Sequence, residues 1–235
     1  MLKLQIFGYS LTNSFYKPER HENQGQGPKT FVDLLHDRFN TTSDPSLRGI
    51  PMCSEERILY NLKKTKEIDV AIIIHSQPVF WFFFLDNRDL RVMNDADITN
   101  FFEVTAKNKL GDSTSLYCNK FPFSIEEVEK IVRFQQDYML SPDLIRNRYL
   151  GALIQIDQYC TAKKLPVIHC VSSKDIPNWF KFSSGIVDTE LKNIASKNFA
   201  GYEISVNSVS GEGNKMIADK LEEYILSLIR NLAVS

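Results

Sequence analysis

Ile68-Asp69-Val70-Ala71-Ile72-Ile73-Ile74-His75-Ser76 decides the fold class. Its near-continuous β-branched run has no polar face, so it suits a central parallel strand buried on both sides. A strand of that kind needs helices above and below it. Upstream, Leu2 to Phe7 reads as the first strand and runs into the turn Gly8-Tyr9-Ser10-Leu11-Thr12. The polar stretch from Lys17 to Lys29 reads as a loop. Pro28 then stands where a first helical turn tolerates proline, and Phe31, Leu34, Leu35 and Phe39 have helical spacing. A short second strand is placed near Leu47 to Ile50. Ser54-Glu55-Glu56-Arg57 opens the next helix with its acids at the positive end of the dipole.

Downstream, Phe80 to Leu85 is a six-residue apolar cluster, followed by an irregular segment to about Phe123. The cluster is either core beneath an insertion or an apolar surface used by a protein partner. Helices are expected from Ser124 to about Leu140 and from Ser141-Pro142 to about Ala162. Lys164 to Val171 reads as a further strand, Tyr202 to Val206 as the last, and 211–231 as a closing helix with Met216, Ile217, Leu221, Ile225 and Leu228 on its buried stripe. This alternation predicts a doubly wound parallel α/β sheet in one domain spanning residues 1–235, with an insertion or lid at about 80–123.

Composition narrows the function classes. The chain has 235 residues, 43% hydrophobic and 24% charged, as in an ordinary globular domain. Lys and Arg total 28 against 29 Asp and Glu, so no basic field points to nucleic acid. No stretch reaches the roughly 20 apolar residues of a membrane span. No signal-peptide pattern precedes the first strand, which suggests a cytoplasmic or virion location. Cys53, Cys118, Cys160 and Cys170 show neither disulfide-framework nor zinc-site spacing and read as reduced, mostly buried thiols. No His, Cys or carboxylate spacing suggests a metal, and neither Gly211-Glu212-Gly213-Asn214-Lys215 nor the turn at Gly8 has the spacing of a phosphate loop. No metal or cofactor is therefore expected.

Ser10 would stand at the carboxyl edge of the sheet, where α/β proteins bind ligands. It can be a nucleophile, a ligand-binding hydroxyl or a turn residue bonded to backbone. His75 ends the strand placed beside the first one and should share that edge; it is either a base for Ser10 or a packed histidine bonded to a loop carbonyl. His169 ends a later strand and reads as a buried structural histidine, while His21 and His36 read as loop and helix-surface residues.

Three blocks resemble the SGNH (GDSL-type) hydrolase family of esterases and lipases. Gly8-Tyr9-Ser10-Leu11-Thr12 is similar to its first block, with Tyr9 where the family usually has Asp. Asp69 to Pro78 sits like its third block. Asn207-Ser208-Val209-Ser210-Gly211-Glu212-Gly213-Asn214-Lys215-Met216-Ile217-Ala218 resembles its last block and following helix. The resemblance implies a three-layer α/β/α flavodoxin-like fold and, for an active member, a serine nucleophile with His, Asp and oxyanion donors. Ser10 matches the nucleophile. The oxyanion asparagine falls near Pro78, which offers no donor. The Asp-x-x-His pair falls on Ser205 and Ser208, which supply neither acid nor base. The resemblance thus implies a hydrolase-like domain with most catalytic positions lost, acting as a binding or assembly module for a glycan or a protein partner. The alternative is an ester hydrolase using Ser10 with an atypical base, His75, on a carbohydrate or acyl ester. Gly8, Tyr9, Ser76, Ser205 and Ser208 are the candidate binding residues.

Overall fold

The computed structural model describes residues 2–8, 29–41, 55–76, 81–85, 88–92, 130, 142–198 and 209–232. In chain order the elements are β1 (Leu4–Gly8), α1 (Phe31–Phe39), α2 (Glu55–Lys64), β2 (Val70–Ile74), β3 (Trp81–Leu85), β4 (Arg88–Val92), α3 (Pro142–Lys163), β5 (Val167–Cys170), β6 (Ile186–Asp188), α4 (Leu191–Lys197) and α5 (Gly211–Leu232). The chain divides into two compact units, Met1–Gln77 with Leu150–Ser235, and Pro78–Tyr149.

The first unit holds a four-stranded, all-parallel sheet in the order β1-β2-β5-β6. β2 is central, and all five of its residues are fully buried, as its unbroken apolar run requires. Alternation along the strands divides the core in two. Leu4, Ile6, Val70, Ile72, Ile74, Ile168 and Cys170 face α1, α4 and α5; Phe7, Ala71, Ile73 and Val167 face α2 and α3. Helices therefore cover both faces of the sheet.

Local chemistry explains most helix boundaries. α1 starts later than Pro28 suggests, because Thr30 caps it: Asp33 N–H donates to Thr30 Oγ1 at 3.3 Å and Thr30 N–H to Asp33 Oδ2 at 3.0 Å. It ends at Asn40 in the left-handed conformation. α3 begins at Pro142, as the Ser-Pro pair indicates. Ser210 Oγ accepts the Gly213 N–H at 3.1 Å and caps α5.

Two parts of the chain depart from the sequence expectation. The strand beside β5 is β6, a three-residue segment that periodicity cannot register. Leu47–Ile50 and Tyr202–Val206, the two other expected strands, lie outside the described residues. In the second unit, the segment expected to be irregular after Leu85 begins with β4, which pairs antiparallel with β3 from Trp81↔Val92 to Leu85↔Arg88. The signal was available. Asp86-Asn87 is a two-residue separator of turn-forming type, and Leu90-Arg91-Val92 alternates in polarity. The helix expected from Ser124 to about Leu140 lies outside the described residues apart from Lys130.

Candidate functional site

His75 directly follows β2, at the carboxyl edge of the sheet. His169 pairs in register with Ile73, so His75, two residues on, projects from the same face beside it. The His75 N–H donates to the Cys170 carbonyl at 2.9 Å and continues the ladder. That face is the one covered by α2 and α3. Both imidazoles are fully buried, and a buried ring must find polar partners within the protein.

Those partners form one continuous network. His75 Nδ1 lies 2.8 Å from Glu55 Oε2, and His75 Nε2 lies 3.0 Å from His169 Nδ1. His169 Nε2 lies 3.0 Å from Ser184 Oγ, which donates to Asp157 Oδ1 at 2.6 Å. Glu55 is the first residue of α2, Asp157 is in α3, and Ser184 closes the loop from β5 to β6. The band therefore runs from α2 to α3 past the ends of β2 and β5, and a loop residue completes it. Its ends are saturated. Glu55 Oε1 accepts the Ser76 N–H at 2.6 Å and the Ser76 hydroxyl at 3.0 Å. Asp157 accepts the N–H groups of Ser183 and Ser184, each at 2.9 Å.

Phe182 closes the band from the loop. Its ring stacks on His169 with centroids 4.1 Å apart and tilts over His75 at 5.3 Å, and Phe180 meets Phe182 edge-on at 4.9 Å. The two imidazole planes are within 16° of parallel. Burial raises the Glu55 carboxyl, but His75 and Ser76 outweigh it and hold Glu55 below its ordinary range. Burial, reinforced by His75, holds His169 well below the usual imidazole range.

Of the residues singled out in the sequence, Gly8 ends β1 in register with Ile74, and His75 and Ser76 lie at the end of β2. Tyr9, Ser10, Ser205 and Ser208 lie outside the described residues. The loop carbonyl envisaged for His75 is replaced by a carboxylate and a second imidazole. Glu55, Asp157, Ser184 and Phe182 were missed as members of this network. Glu55 looks in sequence like an ordinary acid at a helix start, and nothing local reveals its partner 20 residues away.

On the opposite face a second cluster is consumed in joining elements. Asp188 Oδ1 accepts the N–H groups of Glu190 at 3.0 Å and Leu191 at 2.6 Å, which starts α4. Its Oδ2 takes the Tyr224 hydroxyl at 3.0 Å and the Lys220 ammonium at 3.1 Å from α5. Burial works against the charge on Lys220, but Glu190 and Asp188 keep its pKa above the ordinary lysine value. At the rim of the sheet, Lys192 Nζ reaches the Ser76 carbonyl at 3.3 Å and Asp175 at 3.1 Å.

The motif shared with the hydrolase resemblance also has a packing role. Asn214 Oδ1 accepts the Phe31 N–H at 2.9 Å, and its Nδ2 donates to the Val209 carbonyl at 2.8 Å, so it fastens α1 to the start of α5. A Cβ on Gly213 would come within 2.4 Å of Asn198 Cβ, so only glycine fits there. Among the described residues no three His, Cys, Asp or Glu side chains converge as metal ligands. No helix among them is long and apolar enough to cross a membrane. No known family model matches the chain, and neither does any curated protein.

Proposed function

We propose that this is a divergent SGNH-like domain with most of its catalytic positions lost, serving as a non-catalytic binding or assembly module. The observation that carries this reading is the commitment of His75 and His169. All four of their ring nitrogens are hydrogen-bonded within the network, and both rings are fully buried. A general base must reach the proton it removes, and neither ring has a nitrogen left to offer Ser10. The last-block positions hold Ser205 and Ser208, which cannot substitute.

The all-parallel, helix-covered order β1-β2-β5-β6 is compatible with the α/β part of this reading. The partner is a glycan or acyl ester bound through the candidate residues Gly8, Tyr9, Ser76, Ser205 and Ser208, or a protein that uses the apolar cluster Phe80 to Leu85. The direct test is labelling with a fluorophosphonate probe, together with hydrolysis of short-chain aryl esters. We expect no labelling, and turnover no faster than that of Ser10→Ala. Stoichiometric labelling abolished by Ser10→Ala would replace this reading with an ester hydrolase using Ser10.

A further inference from the structure

Four hydrogen bonds join Glu55, His75, His169, Ser184 and Asp157 end to end. Each bond needs one proton. With both carboxylates ionised and both imidazoles neutral, the side chains own only three: one on each ring and one on Ser184. The network is one proton short.

The geometry says where the missing proton goes. Asp157 accepts two backbone N–H groups, one on each oxygen, and Glu55 accepts the Ser76 N–H and hydroxyl besides His75. Donors of that number favour the ionised form of both acids. The 2.6 Å contact from Ser184 Oγ to Asp157 directs the hydroxyl proton at the carboxylate, so Ser184 Oγ must accept from His169 Nε2. His169 Nδ1 then lacks a proton, and His75 must donate from Nε2 to His169 as well as from Nδ1 to Glu55. We infer that the folded network binds one additional proton, carried by His75 as an imidazolium against Glu55, with His169 neutral and protonated on Nε2.

The surroundings of His75 agree with that placement. α2 turns Glu55 toward it, β5 turns His169, the loop brings Ser184 and the uncharged ring of Phe182, and α3 brings Asp157 with the Cys160 thiol nearby. Lys192, at the rim of the sheet, is held at the Ser76 carbonyl and by Asp175. Burial first, and His75 second, hold His169 well below the usual imidazole range, in keeping with His169 as the neutral ring. Removing the proton would empty one of the four junctions and loosen the tie between α2 and α3.

The test is ring-nitrogen NMR on the 15N-labelled full chain at pH 7. The expected result is a proton on both ring nitrogens of His75 and on Nε2 alone of His169. A single ring proton on His75 would overturn the inference. Ser184→Ala leaves two bonds, which two neutral imidazoles can fill, so the His169 proton should move from Nε2 to Nδ1 and His75 should lose one of its two. An unchanged His169 tautomer in that variant would equally overturn it.

Discussion

Glu55 performs two tasks with one carboxylate. As the first residue of α2 it meets the positive end of the helix dipole, and its oxygens take His75 and both donors of Ser76. Truncation would remove the carboxylate that meets His75 Nδ1 and accepts the buried Ser76 N–H. Breaking a buried charged pair by removing one member costs about 3–5 kcal/mol. Glu55→Ala should therefore lose stability on that scale in denaturant unfolding, and a loss below about 1 kcal/mol would mean that water replaces the carboxylate. Gly185 shows a different residue-scale constraint. Its φ is +66°, and a Cβ there would stand 2.0 Å from the Val167 carbonyl oxygen, so the turn that delivers Ser184 to His169 accepts only glycine.

The start of α5 shows how an element is positioned rather than merely formed. Its propensity and apolar stripe come from local sequence: Ile217, Leu221 and Ile225 are buried as that stripe predicts and Leu228 packs half-buried against the core, while Met216 is exposed. Its angle of entry comes from contacts. Ser210 caps the helix, Gly213 admits Asn198, and Asn214 grips α1. Ser210→Ala should cost about 1 kcal/mol. It should lower the denaturant midpoint without changing the slope, because the fold and the area exposed on unfolding stay the same.

Across the whole molecule, buried titratable groups set opposing pH limits. The folded protein refuses a proton on His169, while the unfolded chain accepts one near the ordinary imidazole value of about 6.5. The unfolded state then binds more protons, so stability falls as pH drops below about 6.5. Glu55, held below its ordinary range, adds to the loss as pH falls through about 4.3. On the alkaline side, burial and then Asp157 push the Cys160 thiol up to about 12, and burial, aided by Asp188, raises Cys170 well above its usual value. The unfolded thiols ionise near 8.5, so their contribution is lost as pH rises beyond that. Unfolding free energy measured against pH should rise from acid to a maximum near neutrality and fall again above about pH 8.5. A stability still rising between pH 5 and pH 3 would contradict it.

Much of this architecture was legible before any coordinates. The unbroken β-branched run Val70–Ile74 can only be buried on both faces, so a central parallel strand with helices on either side followed from it. The start of α3 at Pro142 and the stripe of α5 were likewise local signals. Short elements were not legible: β6 has three residues, and its place beside β5 depends on pairing and on a left-handed glycine, neither of which leaves a periodic trace. The sequence by itself determined that this chain builds a helix-covered parallel sheet with His75 and His169 at the ends of two of its strands, because side-chain alternation and helical spacing are short-range consequences of backbone geometry. Only the tertiary structure decided that the two rings bond each other and that Glu55, Ser184 and Asp157 complete their network. Those partners come from separate segments of the chain, and what brings them together is the need to satisfy every polar group that the packed sheet removes from water.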